Sequence, residues 1–117
     1  MEGRDHVILY YRTTSGAFPF RDWRSGITDE DTKAAIDARI ARFRGGNFGK
    51  SRSIGGGAIE NKIDFGPGYR IYYGLDGDEI VVLLCGGDKS NQAAGIKMAK
   101  SCWKDYKERK AVRARNE

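Results

Sequence analysis

A chain of 117 residues is long enough for one hydrophobic core but not two, so residues 1–117 are expected to form a single domain. Its 21 Lys and Arg residues against 16 Asp and Glu residues give a net charge of +5, which favours a polyanionic or acidic partner. The longest apolar run, Ile80 to Cys85, is much shorter than the ~20 residues of a membrane-spanning helix. The start MEGRDH lacks the hydrophobic segment of a signal peptide. We therefore expect a cytoplasmic protein.

Residue types that commonly bind metals are scarce. Cys85 falls in a predicted strand and Cys102 on a predicted helix, and two cysteines are too few for a metal cluster. Without an export signal, both are expected to be reduced thiols. His6 is the single histidine, and its place near the chain start favours a structurally idle residue over a catalytic one. We predict no metal and no cofactor.

The first part of the chain predicts a strand and a short helix. Val7 to Arg12 is rich in β-branched and aromatic residues, which indicates a strand. Phe18 to Trp23 is predicted to be a short helix that ends at Gly26. Phe20 and Trp23 lie three residues apart and would anchor this helix in the core.

A second helix is predicted from Thr28, the expected N-cap, to a stop at Gly45-Gly46-Asn47. Carboxylates at 29–31 suit the positive end of the helix dipole. A flexible basic loop is expected after the stop. The residues expected to face the core are Ile36, Ile40 and Phe43. The arginines on the flank or outside are Arg39, Arg42 and Arg44, for which a solvated face is at least as good a reading as contact with RNA.

An antiparallel hairpin is predicted next. Its strands are Ala58 to Phe65 and Tyr69 to Leu75, and its turn is Gly66-Pro67-Gly68. Apolar residues alternate with charged ones along the first strand, which predicts one apolar and one charged face. The apolar positions are Ile59, Ile63 and Phe65.

The register of this hairpin follows from its loop. A loop of residues 66–68 pairs Asp64 with Arg70 and Lys62 with Tyr72, whereas the other register sets Arg70 opposite core-facing Ile63. The first register is physically better. The residues it places together on the charged face are Glu60, Lys62, Asp64, Arg70 and Tyr72.

A buried strand and a long helix complete the chain. Glu79 to Cys85 is apolar at both parities, as expected for a central strand covered on both sides. After Gly86-Gly87, Ser90 or Asn91 could cap the last helix. The stripe expected to pack on the sheet is Ile96, Ala99, Trp103 and Tyr106. The basic flank is Lys97, Lys100, Lys104, Lys107 and Lys110. The predicted order β-α-α-β-β-β-α is an α+β sandwich on a small twisted, mainly antiparallel sheet.

Three stretches carry a resemblance to a known family. They are FRDWRSGITDEDTKAAIDARIARFRGGN, GNFGKSRSIGGGAIENKIDFGPGYRIYYG and VLLCGGDKSNQ. Together they resemble the phage-derived Gp49-like, HigB-type branch of the RelE/ParE toxin superfamily, over roughly Phe18 to Tyr106. The pairing of GPGYR with GGDKSxQ at this spacing is the most specific feature. The resemblance implies a single RelE-like toxin domain.

The resemblance also implies an activity and partners. RelE-like toxins are ribosome-dependent endoribonucleases in which the 2′-OH of the mRNA attacks the adjacent phosphorus and the 5′-oxygen leaves. Such a reaction needs cations around the phosphate and groups that remove and supply protons, but no metal. The implied partners are the ribosome, mRNA and a cognate antitoxin, a helix-turn-helix protein that would cover the basic concave face.

Two basic residues match family positions. Arg70, in GPGYR, matches the strand arginine that the family uses on the scissile phosphate, and its planar fork can hold two phosphoryl oxygens. The alternative is a structural pair between Arg70 and Asp64. Lys89, in GGDKS, matches the basic residue after the last strand, where it could serve the transition state or the leaving oxygen. The glycines before it would allow close approach to RNA, but a simple loop lysine is the alternative.

Glu60 and Lys62 are the candidates for the proton acceptor. Lys62 could act only as the neutral amine, a form that Arg70 and burial would favour. Glu60 could instead be a structural partner of its basic neighbours. The candidate RNA contacts are Lys50, Arg52, Tyr72 and Gln92, and for Gln92 a role at the helix start is favoured. The last helix offers no match to the aromatic or polar residue that family toxins place near the scissile site, because Tyr106 is too far along it.

Two other functions are compatible with the same fold. ParE-like relatives poison DNA gyrase by binding, without a cleaving residue set. A decayed module would retain only antitoxin binding. Arg70, Lys89 and Glu60 together favour the nuclease, although fold alone does not decide function.

Overall fold

The computed structural model describes residues 5–116, which form an α+β fold with a five-stranded mixed sheet and three α-helices. The α+β class predicted from the sequence is therefore confirmed. In chain order the elements are β1 Val7–Tyr10, α1 Pro19–Ser25, α2 Glu30–Arg44, β2 Ser51–Gly55, β3 Ala58–Ile63, β4 Tyr69–Asp76, β5 Ile80–Asp88, a 3₁₀ turn Lys89–Asn91 and α3 Gln92–Arg115.

The sheet has the strand order β1-β5-β4-β3-β2, with β1 parallel to β5 and the other neighbours antiparallel. The prediction of a flexible loop before β3 was wrong, because this segment contains β2. β2 is an edge strand whose outward residues are exposed, so it lacks the apolar alternation that marks a half-buried strand. Gly56 and Gly57, both at positive φ, form the turn into β3.

Helices cover both faces of the sheet. α1 and α2 pack on one face through Phe20, Ile36, Ile40 and Phe43, all of them buried. On the other face α3 packs through Ala99 and Trp103, with Ile96 and Tyr106 partly buried. These core predictions are confirmed. Part of the hairpin face predicted to be charged lies under α3, so Glu60, Arg70 and Tyr72 are far more buried than alternation alone suggests. Lys62 and Asp64 stay exposed.

Two tryptophans lie flat against glycines on opposite faces of the sheet. A Cβ on Gly74 would lie 2.5 Å from Trp103, and a Cβ on Gly86 would collide with Trp23. A Cβ on Gly87 would lie 2.7 Å from Asn91 Oδ1. The space beside Gly86 and Gly87 is thus filled by protein side chains. The expectation that these glycines leave room for RNA was wrong.

The predicted hairpin register was wrong by two residues. Lys62 pairs with Arg70 and Glu60 pairs with Tyr72, so residues 64–68 form a five-residue loop. Because side chains alternate with a period of two, a shift of two keeps every residue on its predicted face. The face assignment is confirmed. Phe65, however, belongs to the loop and is 39% exposed, so its predicted core position was wrong.

Aspartates cap α2 and the 3₁₀ turn, while Asn91, one of the two residues predicted, occupies the N-cap position of α3 without a side-chain cap hydrogen bond. The Asp29 carboxylate accepts hydrogen bonds from Thr32 N at 3.0 Å and Thr32 Oγ1 at 2.6 Å, in place of a Thr28 cap. Asp88 accepts from Ser90 N at 2.8 Å. A carboxylate next to the free N–H groups of a first turn adds charge to the hydrogen bond. No helix within residues 5–116 has the length and apolar character needed to span a membrane.

Candidate functional site

Glu60 is the centre of a polar cluster between β3 and the start of α3. It sits at an inward position of β3 and is only 4% exposed. Its Oε1 accepts from Arg52 Nε at 2.7 Å, and its Oε2 accepts from Tyr72 Oη and Gln92 Nε2, each at 3.0 Å. Burial alone would raise the pKa of Glu60, but the hydrogen bonds from Arg52, Gln92 and Tyr72 bring it below its ordinary value. Glu60 is therefore an ionised carboxylate at neutral pH.

Arg70 lies beside Glu60 and is 5% exposed. Its Nη1 donates to Gly68 O at 2.5 Å. Its Nε has no hydrogen-bond acceptor within residues 5–116, because Glu60 Oε2 is 3.9 Å away, too far for a hydrogen bond. The predicted pairing of Arg70 with Asp64 was wrong. Arg70 is held by a backbone carbonyl and a distant carboxylate, with one N–H unsatisfied.

Asp64 instead binds two lysines at the end of the sheet. Its carboxylate lies 2.8 Å from Lys50 Nζ and 3.5 Å from Lys62 Nζ. The Lys62 side chain is 52% exposed. The burial that would favour neutral Lys62 is therefore absent in this structure, which leaves Glu60 as the better placed of the two candidate proton acceptors.

Glu60 and Arg70 line an open cavity of about 340 Å³, called the Glu60–Arg70 cavity. Among the lining residues, the cations outnumber the one carboxylate, so the cavity favours an anion. Its lining is Lys50, Ser51, Arg52, Glu60, Lys62, Arg70 and Gln92.

A neighbouring depression of about 330 Å³ contains Lys89 and shares Arg70 and Lys62 with the first cavity. We call it the Lys89 depression. The β3–β4 loop forms its other wall. Gly68 in this loop has φ +79 and lies close to the side chains of Arg70 and Lys89. A Cβ on Gly68 would lie 3.1 Å from Arg70 Nη1 and 3.8 Å from Lys89 Cβ. Glycine thus lets the loop backbone approach Arg70 closely.

The structure brings most of the predicted site residues together, at different depths. Seven of the eight line one or both depressions: Arg70, Lys89, Glu60, Lys62, Lys50, Arg52 and Gln92. Tyr72 is fully buried beneath them and donates its hydroxyl to Glu60. Burial and this bond raise the pKa of Tyr72. In this conformation Tyr72 orients Glu60 and does not reach the surface, while Gln92, at the start of α3, binds Glu60 rather than capping the helix.

Asn61 was missed by the sequence analysis. It is fully buried on the apolar face of β3, where it donates to Phe48 O at 2.8 Å and Ser51 Oγ at 3.0 Å. It also accepts from Arg39 Nη1 at 2.8 Å. A polar residue between Ile59 and Ile63 on a core face is a signal in itself, because buried amides need partners.

The arrangement suits chemistry on a phosphodiester. Arg70 has a buried guanidinium with an unsatisfied N–H, and the surrounding cations can neutralise phosphoryl oxygens. Glu60 accepts three hydrogen bonds, one on Oε1 and two on Oε2, which leaves one lone pair on Oε1 that could accept a proton. No group of three His, Cys, Asp or Glu side chains in the described part of the chain could hold a metal ion.

The chain was compared with protein-family models and with known proteins. No protein-family model matches the chain. A protein of Haemophilus influenzae that is described as uncharacterized is 47% identical over 81 residues, which cover 69% of this chain and 82% of the relative. At this identity and coverage, the chain belongs to the same protein family as the Haemophilus influenzae protein.

Proposed function

We propose that the protein is the toxin of a type II toxin–antitoxin module, with the RelE-like topology of the RelE/ParE superfamily. In this proposal it is a metal-independent, ribosome-dependent mRNA endoribonuclease of the HigB type. The observed α+β fold is compatible with that topology, and β2 adds one strand to the predicted order. The partners are the ribosome, mRNA and a cognate helix-turn-helix antitoxin.

The observation that carries the proposal is the state of Arg70. A buried arginine in a purely structural role normally has a carboxylate or carbonyls for all its donors. Arg70 Nε lacks one within the described residues, yet the side chain lies at a cavity rich in cations. A phosphate in the cavity would meet this excess of positive charge, and its oxygens can accept hydrogen bonds from a guanidinium.

Each step of cleavage can be assigned to a residue type present in the two depressions. The 2′-OH attacks the adjacent phosphorus, the bond from phosphorus to the 5′-oxygen breaks, and a cyclic phosphate and a 5′-OH result. Arg70 stabilises the nonbridging oxygens, and Glu60, or in the second place Lys62, accepts the 2′-OH proton. Lys89 serves the leaving oxygen. Lys50 and Arg52 hold neighbouring phosphates, while Tyr72 and Gln92 orient Glu60.

A gyrase poison of the ParE type and an antitoxin-binding remnant are the alternatives. Neither requires a buried arginine in the lining of an open cavity that is rich in cations. The cluster around Glu60 therefore supports the nuclease over both. The excess of cations on this surface also suits an acidic antitoxin segment, whose binding would weaken as salt rises.

The proposal is tested by adding the purified protein to an in vitro translation reaction and mapping the mRNA by primer extension. We expect cuts that appear only with ribosomes. The same preparation is tested in a DNA gyrase supercoiling assay. Intact mRNA with inhibited supercoiling would support the ParE-like alternative, and inactivity in both assays would support the remnant.

The antitoxin is tested by co-expression with the neighbouring reading frame. We expect that frame to restore growth and to co-purify with the toxin. If it does neither, the module has no support.

A further inference from the structure

A groove on the α2 side of the sheet adjoins the Glu60–Arg70 cavity. This flanking groove, of about 370 Å³, lies between α2 and the end of β3. Lys50 and Lys62 line both the groove and the cavity, so a ligand that crosses these two lysines enters both. The side chains that matter here are Arg39, Arg42, Lys50, Lys62, Asp64 and Phe65.

Positive charge in the flanking groove exceeds what its own carboxylate neutralises. Asp64 lies within 2.8 Å of Lys50 Nζ and 3.5 Å of Lys62 Nζ, and so pairs with both lysines. Arg42 is exposed and has no ion pair within residues 5–116. Two arginines one helical turn apart repel each other, and a bound anion relieves that repulsion.

Arg39 is fixed in place without a carboxylate. Its Nη1 donates to Asn61 Oδ1 at 2.8 Å and to Lys62 O at 2.9 Å, and Asn61 itself is fully buried. Burial, and then the charge of Arg42, lower the pKa of Arg39. The guanidinium is thus oriented by neutral acceptors and keeps its charge, so its remaining donors suit a phosphate oxygen.

Phe65 gives the same area an exposed aromatic ring. It is 39% exposed and lines both the flanking groove and the Lys89 depression. An aromatic ring among fixed cations is typical of surfaces that bind single-stranded nucleic acid, because a base stacks on the ring while the cations hold the backbone. An acidic peptide uses the cations but has no need of the ring.

We propose that the flanking groove binds the segment of single-stranded RNA next to the cleaved nucleotide. Arg39 and Arg42 hold a backbone phosphate, and Phe65 stacks on a base. Lys50 and Lys62 carry the strand from the groove to the Glu60–Arg70 cavity. This inference rests on the proposed function and assigns to that site a second set of RNA contacts.

Binding of labelled single-stranded RNA to the purified chain, followed by fluorescence anisotropy over a salt series, tests the groove. Arg42→Ala should lower the magnitude of the salt slope by about 0.7, the value for one phosphate contact. Phe65→Ala should weaken binding roughly 5- to 150-fold, as expected for one stacked base. Both positions are exposed, and circular dichroism and thermal unfolding verify the fold of each variant.

Matched controls separate the groove from net charge and from loss of any surface apolar group. Lys104→Ala removes an exposed cation on α3, and Leu75→Ala removes an apolar side chain that is 38% exposed outside the groove. Both should bind RNA like the wild type. The inference is overturned if Arg42→Ala and Phe65→Ala match these controls, or if the wild type binds no RNA. It is also overturned if an acidic peptide displaces RNA and binds equally well to Phe65→Ala.

The translation assay distinguishes failure of this inference from failure of the proposed function. If the groove variants bind RNA normally while wild-type cleavage still depends on Arg70, only the groove assignment fails. If the wild type cuts no mRNA, the proposed function fails whatever the binding data show.

Discussion

Tyrosine–carboxylate pairs lie near both ends of α3, but within the described residues a buried arginine N–H without an acceptor is found only near the N-terminal end. At the C-terminal part of α3, Tyr106 donates to Asp76 at 2.7 Å, and Lys110 pairs with the same carboxylate. At the N-terminal end, Tyr72 donates to Glu60, which already receives hydrogen bonds from Arg52 and Gln92. Arg70 adds a further cation there.

A second tyrosine–carboxylate pair lies at the C-terminal part of α3, and its carboxylate, like that of the first pair, also binds one basic side chain. Tyr11 donates to Asp105 at 2.6 Å, and burial with this bond raises the pKa of Tyr11 to about 12. Arg109 donates from Nε to Asp105 at 2.9 Å and also binds Arg12 O. Arg109 and Lys110 meet acceptors of the protein itself, so their contacts stabilise the packing of α3. Around Glu60 the arginine Arg70 keeps an unpaired N–H, and it lines a cavity together with further cations, which suits an anionic ligand.

The largest difference between the two ends should appear in catalysis. Arg70→Ala removes the donor best placed for the nonbridging oxygens and should lower mRNA cleavage by roughly 10²–10³. Lys110→Ala removes a cation of the matched end and should leave cleavage unchanged. Cleavage is measured by primer extension in the translation assay, with thermal unfolding to establish that both variants fold.

Arg70→Lys separates geometry from charge. Lysine keeps the charge but cannot form the two-pronged contact, so it should restore little activity. Lys89→Ala and Glu60→Gln should each weaken cleavage less than Arg70→Ala. A folded Arg70→Ala protein that still cuts mRNA at the wild-type positions would remove Arg70 from the active site.

The next largest effect is expected in the pH dependence of stability, through the Glu60 carboxylate. The pKa of Glu60 is lowered in the fold, so its carboxylate adds stability above its unfolded pKa of about 4.3, and this is lost as pH falls through the lower folded pKa. Glu60→Gln should be less stable than the wild type at pH 7 by about 1.5–3 kcal/mol, the range for hydrogen bonds to a charged group. Urea unfolding should show this difference shrinking below about pH 4.

Asp105→Asn is the matched control for that titration. The Tyr11 hydrogen bond lowers the pKa of Asp105, so its carboxylate, like that of Glu60, adds stability that is lost as pH falls. The side chain is 32% exposed, however, and solvent weakens the effect. An Asp105 effect larger than that of Glu60, or a Glu60 difference that is constant from pH 7 to pH 3, would contradict the contrast between the two ends.

The smallest effects are expected from removing the tyrosine hydroxyls. Tyr72→Phe leaves a buried carboxylate short of one donor and should cost about 1–2 kcal/mol of unfolding free energy. Tyr106→Phe should cost about 1 kcal/mol or less, because the Asp76 carboxylate keeps Lys110. Denaturant unfolding of both variants tests this order, and equal losses would show that the two carboxylates are equally well satisfied.

Alternation and helical spacing in the sequence determined which residues share a face. Ile36, Ile40 and Phe43 line the buried side of α2, and Glu60 and Arg70 share one face of the hairpin, as predicted. These patterns are local, since side-chain direction repeats every two residues in a strand and every 3.6 in a helix. The face assignment survived a register error because the error was an even number of residues.

Only the tertiary structure decided depth, partners and space. The sequence could not show that α3 buries the Glu60 face, that Asp64 binds two lysines instead of Arg70, or that Trp23 fills the surface beside Gly86. The edge strand β2 also stayed hidden, because it pairs through its backbone and its partly buried residues, Ser51 and Ile54, do not follow an alternating pattern. Burial and pairing depend on elements far apart in the chain, and local periodicity carries no information about which of them will meet.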